Sequence, residues 1–262
     1  MRFDHAIIAV LDLDVATADF EQLGFTTVYG GEHGGGLTHN TLITFADGTY
    51  LEVMAPTSPQ LLSDPPAPGP GNYLFFFDGG EGYAGFALHT DELDNVVNRV
   101  RESGIEIAVP GSGGRVRTDG VELTWRSAFP LGSYSPFFMT DENPRELRVR
   151  TDPDLIYHPN GALGIRRVLS VVSDLATGVK RYTAMLGESP ARGPVIEGAE
   201  TAAFKLGTFE AVIASPTPDA GRLFDHLEGR GEGLHEIEIE TSRTDSEASL
   251  LTHGAPIKLV SK

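Results

Sequence analysis

FDHAIIAV, a short apolar run from Phe3, leads into a stretch whose apolar residues recur at helical spacing as far as Leu23 and Gly24. That pattern predicts a strand, a helix capped by Asp12 and a glycine stop. The pattern returns at IRRVLSVVSDLATGVKRYTAMLG from Ile165, with Asp174 in the capping position. FADGTYLEVMAP and FKLGTFEAVIASP then match each other as hairpins around Gly-Thr, so each unit reads as a βαβββ module. Two weaker openings predict two more modules: GYAGFALHTDELDNVVNRVRESGI, capped by Asp91, and GLHEIEIETSRTDSEASLLTHGA, capped by Thr241 or Ser242 and ending at Gly254.

The fold class expected from these repeats is α+β, built of tandem βαβββ modules. Module one spans residues 1–56, module two 80–150, module three 162–216, and a truncated module four 232–262. Two linkers fall between them. PTSPQLLSDPPAPGPGN is either a disordered spacer or a surface loop capping a cleft, and TDPDLIYHPNGA separates modules two and three.

Composition narrows the function. A net charge of -17, from 20 basic and 37 acidic residues spread along 262 positions, disfavours nucleic acid and anionic membrane as partners. The absence of cysteine removes disulfides, thiolate nucleophiles and zinc-cysteine sites. The opening residues lack the features of a signal peptide, and no apolar stretch approaches the length of a membrane span, so the expected location is cytoplasmic. GGEHGGGL lacks the Lys-Ser/Thr ending of a phosphate loop and reads as a flexible rim loop whose His33 reaches over a cleft. Neither a Gly-x-Ser-x-Gly motif nor a dinucleotide fingerprint is present.

Repeated modules opening with FDHAIIAV and carrying YLEVMA in the fourth strand resemble the vicinal oxygen chelate superfamily of glyoxalases and extradiol dioxygenases. GGEHGGGLTHNTLITFADGTYLEVMA and HPNGALGI are similar to its glyoxalase-like domain family. The resemblance implies curled mixed sheets with helices outside, each pair of modules forming an eight-stranded cup around a divalent metal. It also implies metal ligands on first and fourth strands, which here are His5 and Glu52.

Strand parity agrees, since His5 shares a face with Ile7 and Ala9 while Glu52 shares one with Tyr50 and Met54. Module three carries Arg167 and Ala211 at the aligned positions, so the site is expected in module one. Module two has Ala84 and Met139 or Thr140 where further ligands belong. The third ligand is therefore open among His39, His89, His235, Glu236 and Glu238, with His39 preferred; parity puts His235, like His89, toward a helix face. Two imidazoles and a carboxylate suit Fe, Mn, Ni, Co or Zn. Glu52 is the candidate catalytic group, alternating between ligand and proton acceptor. Asn40 and Tyr50 are candidate substrate contacts, and Trp125 and Arg126 are expected to line a cleft between modules.

The leading expectation is a metal-dependent enzyme acting on a small molecule with vicinal oxygens, by isomerisation, lyase chemistry or ring-cleaving oxygenation. The alternative is a non-catalytic protein of the same fold that binds or sequesters a small molecule. A homodimer is left open.

Overall fold

The computed structural model describes every residue except 68–70, 133–134 and 244–247. The first half of the chain contains β1 (Arg2–Ala9), α1 (Leu13–Gln22), β2 (Val28–His33), β3 (Thr38–Thr44), β4 (Tyr50–Pro56), the four-residue α2 (Gln60–Ser63), β5 (Gly82–His89), α3 (Leu93–Glu102), β6 (Gly111–Val116), β7 (Glu122–Ala128), β8 (Phe137–Asp141) and the short α4 (Arg145–Arg148). The second half contains β9 (Ala162–Val171), α5 (Leu175–Leu186), β10 (Ala191–Arg192), β11 (Ala199–Leu206), β12 (Phe209–Pro216), α6 (Arg222–Arg230), β13 (Gly233–Thr241), β14 (Ala248–Thr252) and β15 (Ala255–Ser261).

Strands β1 to β8 close into a barrel in the order β1-β4-β3-β2-β6-β7-β8-β5. β1 runs parallel to β4 and antiparallel to β5, and β5 runs parallel to β8. The second sheet stays open, in the order β10-β11-β12-β9-β13-β15-β14. The fold is thus an α+β assembly of βαβββ modules with curled sheets and helices outside, paired one with two and three with four.

The helices form where capping and apolar spacing agree. Asp12 accepts a hydrogen bond from the Val15 amide at 3.0 Å, and α1 buries Leu13, Ala16 and Phe20 on one face. Asp174 repeats this for α5 with the Thr177 amide at 2.8 Å, and Gly187 stops the helix in the left-handed region at φ +72°. The predicted caps of the weaker modules are corrected. Glu92, not Asp91, occupies the capping position of α3 and makes no side-chain cap bond, since Asp91 lies one residue too early. In module four the predicted helix is replaced by strand over Ala248–Thr252, while 244–247 lie outside the described residues. His253 and Gly254, with φ +48° and +67°, form a tight two-residue hairpin that forces β14 back along β15.

One apolar core runs between the two sheets and their helices. Ala6, Ile8, Ile43, Leu51 and Val53 of the barrel's outer faces join Val168, Phe204 and Ile237 in it. Phe3 stacks on Phe209 across the junction with centroids 4.4 Å apart, and the Tyr83 hydroxyl donates to the Pro256 carbonyl at 2.8 Å. The linker after module two also docks: His158 Nδ1 accepts from the Thr26 amide at 2.9 Å while Nε2 donates to the Thr44 carbonyl at 3.0 Å. Burial holds this imidazole below its ordinary titration range, as a neutral ring with both nitrogens used.

Candidate functional site

Alternation along β1, β3 and β4 sends His5, Asn40, Leu42, Tyr50, Glu52 and Met54 inward, where they line a pocket inside the barrel. The facing wall comes from module two and is largely apolar, with Trp125, Phe137 and Met139. The segment that follows the Pro-rich linker covers this cleft. A short turn of 3-10 helix at Leu74–Phe77 buries itself over the mouth, and Tyr73 and Phe76 contribute to the lining.

Glu52 is 7 % exposed and carries three neighbours. Asn40 Nδ2 donates to Oε1 at 2.6 Å, His33 Nε2 lies 3.1 Å from the same oxygen, and His5 Nε2 lies 3.4 Å from Oε2. Burial alone pushes the carboxyl up, but the His33 hydrogen bond, the His33 and His5 charges and the Asn40 amide together bring it down to about 2. The carboxylate therefore stays ionised throughout the physiological range.

Both imidazoles are anchored through their other nitrogen. His5 Nδ1 lies 2.8 Å from Asp4 Oδ2, and His33 Nδ1 lies 2.8 Å from Thr38 Oγ1. Asp4 is fully buried; desolvation raises its pKa, yet Arg148, His5 and Arg145 outweigh this and hold it well below the carboxylate range. An ionised Asp4 accepts hydrogen bonds and donates none, so Nδ1 of His5 carries the proton and Nε2 is the pole facing Glu52. A ring nitrogen against an ionised carboxylate needs a proton or a cation between them.

Behind this centre stands a buried ionic lattice. Arg148 donates to both oxygens of Asp4 at 2.8 and 3.2 Å, to both oxygens of Asp141 at 2.5 and 2.9 Å, and to the Tyr50 hydroxyl at 2.6 Å. Arg145 also pairs with Asp4, and His89 Nε2 lies 3.2 Å from Asp141. Burial raises the Tyr50 phenol further above its ordinary range, so it stays protonated.

The predicted residues divide accordingly. His5, Glu52, Asn40 and Tyr50 meet in the pocket. His39 does not: it pairs across from Ala55, packs edge-on to Tyr29 on the outer surface, and has odd parity relative to Asn40. The second imidazole at Glu52 is instead His33, which ends β2 rather than floating in a rim loop. His89 faces Asp141 at the barrel end rather than a helix. His235 lies against His226 of α6, centroids 5.0 Å apart, as parity predicts. Glu236 and Glu238 pair with Lys258 and Arg167 in the open sheet, remote from Glu52. Trp125 lines the pocket, whereas Arg126 turns outward to Asp94 at 2.9 and 3.1 Å. Arg115, Arg148 and Asp141 carry no sequence signal of their own, because their role comes from contacts across distant strands.

In donor chemistry the centre suits a divalent ion. Nitrogen and oxygen atoms 3.1 to 3.4 Å apart match the separation of two ligands on one ion with bonds of about 2.0–2.2 Å. The buried Asn40 Oδ1 has no hydrogen-bond partner. Among the described residues no three His, Asp or Glu side chains are already gathered into a metal-holding group; the two imidazoles meet different oxygens of Glu52.

Comparison with known proteins places this geometry. The glyoxalase-like domain family matches residues 3–188. No curated protein matches the chain in sequence. Among solved structures, a hypothetical protein from Staphylococcus aureus superposes with a TM-score of 0.76 at 16 % identity, covering 100 % of this chain and 99 % of that one. A mutant of 4-hydroxymandelate synthase from Streptomyces coelicolor gives 0.58 at 14 % identity, with 92 % and 71 % covered. A xylose isomerase-like TIM barrel/4-hydroxyphenylpyruvate dioxygenase fusion protein gives 0.54 at 14 %, with 92 % and 36 % covered. At such identities the likeness is one of fold.

Proposed function

The chain belongs to the glyoxalase-like domain family of the vicinal oxygen chelate superfamily, and we propose that it is a metal-dependent enzyme acting on a small molecule with neighbouring oxygens, inside the first barrel. One observation carries this reading: His5 and His33, each fixed through Nδ1, turn Nε2 onto the ionised Glu52 in a pocket that Tyr73, Phe76, Trp125 and Phe137 also line. His5, His33 and Glu52 would hold the ion, with Asn40 Oδ1 beside them. A bound divalent ion supplies Lewis-acid polarisation of the substrate oxygens.

The remaining roles belong to the chain itself. Glu52, held ionised by the imidazoles and the Asn40 amide, is suited to anchoring positive charge and is the candidate proton acceptor. Tyr50 accepts from Arg148 and keeps its own hydroxyl proton for an oxygen of the ligand. Tyr73, Phe76 and Trp125 exclude water above the floor, which strengthens each polar contact below.

The test is metal content of untagged protein after loading with Mn, Fe, Co, Ni or Zn. Near-stoichiometric metal is expected in the natural protein, with affinity falling about tenfold to a hundredfold or more in His5→Ala, His33→Ala and Glu52→Gln. His39→Ala should retain it. Assays then turn to diketones, hemithioacetals and catechols. Equal retention in all variants would remove the ligand assignment. A second reading, a binding protein without chemistry, is favoured by the apolar module-two wall, where Ala87 and Met139 offer no ligand; stable ligand binding with no metal and no turnover would select it.

A further inference from the structure

Two arginines among the described residues are buried, Arg115 and Arg148, each 6 % exposed. Arg148 is matched by two aspartates. Arg115, on β6, has no ion pair among the described residues; its hydrogen bonds go to the main-chain carbonyls of Gly30 and, at 3.5 Å, Arg148. Those two acceptors use part of a fork of five N–H donors. The side chain also lines the pocket, beside Asn40 and Glu52.

Resting on the reading of this pocket as the site, we propose that Arg115 is the receptor for a carboxylate on the ligand, so that the substrate class is a small aromatic or apolar acid with neighbouring oxygens. A buried guanidinium with no carboxylate bonded to its fork is costly even with the Glu52 charge nearby, and a planar carboxylate fits that fork in two parallel bonds. Charge bookkeeping points the same way. Asp4, Asp141 and Glu52 balance Arg145, Arg148 and Arg115 in the surrounding lattice, so a divalent ion at Glu52 would leave an excess that an anionic ligand neutralises. The aromatic wall of Tyr73, Phe76, Trp125 and Phe137 takes the body of such a molecule. The pocket's one other arginine is already saturated, which favours a single carboxylate over a phosphate.

Trp125 is the chain's single tryptophan and lines the pocket, so its fluorescence reports occupancy. Benzoylformate and methyl benzoylformate share a skeleton and a pair of neighbouring oxygens, and differ in the carboxylate. The natural protein, with and without Mn, should bind the acid about tenfold or more tightly than the ester. Arg115→Gln should erase that preference by weakening the acid alone, holding the ester to roughly twofold, and Arg115→Lys should restore part of it. Because Arg115→Gln removes two main-chain contacts and could unfold the barrel, thermal stabilisation of the natural protein by acid against ester provides a measurement that needs no variant. Equal affinity for the two, binding of neither, or a preference that survives Arg115→Gln overturns the proposal. Metal retention is read separately: a preference for the acid in natural protein that takes up no metal even after loading with Mn, Fe, Co, Ni or Zn would sink the metal enzyme and leave the carboxylate receptor standing.

Discussion

The barrel and the open sheet are built from the same module and use their inner faces in opposite ways. Where β1 presents His5, β9 presents Arg167, which pairs with Glu210 at 2.6 Å and Glu238 at 2.8 Å. The Val10 amide bonds the Met54 carbonyl as the Val172 amide bonds that of Ala214, so Glu52 corresponds in register to Val212. Ala211, its partner by sequence alignment, packs into the core on the other face. Closure makes the difference. β6 pairs with β2 to seal the barrel, whereas the second sheet has seven strands, β10 and β14 at its edges, and module four contributes no helix among its described residues. Charged groups of the same kind become a dry, strongly perturbed centre in one sheet and a self-neutralised, partly wet face in the other.

The largest test of this contrast removes one arginine from each sheet. Arg148→Met strands Asp4 and Asp141 in the barrel, and its cost should be about 3–5 kcal/mol in urea unfolding. Arg167→Met leaves Glu210 and Glu238 with access to water and should cost about 1 kcal/mol or less. Equal losses would mean that the open sheet's face is as dry as the barrel's interior.

Acid sharpens the comparison next. Glu52 and Asp141 titrate at about 2 in the folded chain against ordinary values of 4.5 and 3.8, burial being outweighed by the imidazole and, for Asp141, Arg148 contacts. The unfolded chain takes up these protons first, so the stability they contribute is complete above about 4.5 and is lost as pH falls toward about 2. In the second half, His226 and His235 are each held down at about 4 against 6.5, by burial first, with His235 and Arg230 acting on one and Lys258 and Arg222 on the other. There too the unfolded chain binds protons more readily, and stability is lost as pH falls from 6.5 to about 4. Amide-exchange protection, corrected for intrinsic rate, should therefore fall in β13 and α6 before it falls in β1 and β4. Simultaneous loss would show that the sheets open as a single unit.

The repeats and alternation were enough to read the βαβββ pattern, the inward set of His5, Tyr50 and Glu52, and two helix caps from sequence, because these depend on local periodicity. His33 was read as reaching over the cleft from a rim loop because its glycine-rich surroundings resemble one, but they allow β2 to continue beside β6; Gly31, at φ +121°, lies against the Val116 carbonyl with no room for a side chain. His39 misled because a third-strand histidine next to Asn40 looks close to Glu52 until parity is applied, which sends it outward. Arg115 and Arg148 depend on partners more than thirty residues away, at Gly30 and Asp4, and no local pattern encodes those, although Asp141 lies only seven residues from Arg148. The strand at Ala248–Thr252 was missed because the repeat suggested a helix, where the turn at His253 and Gly254 dictates a hairpin.

The smallest test compares the helices that open three of the modules. Asp12→Ala and Asp174→Ala each remove one side-chain bond to a first-turn amide, at 3.0 and 2.8 Å, and each should cost about 1 kcal/mol. Glu92 occupies the same position of α3 and makes no cap bond, so Glu92→Ala should shift the urea midpoint by no more than about 0.5 kcal/mol equivalent. Capping is local chemistry, set by one carboxylate and one amide, and should be indifferent to whether its module carries a site. A loss at Asp12 several times that at Asp174 would mean that α1 is coupled to closure of the barrel, and that the two sheets differ in cooperativity as well as in the face they enclose.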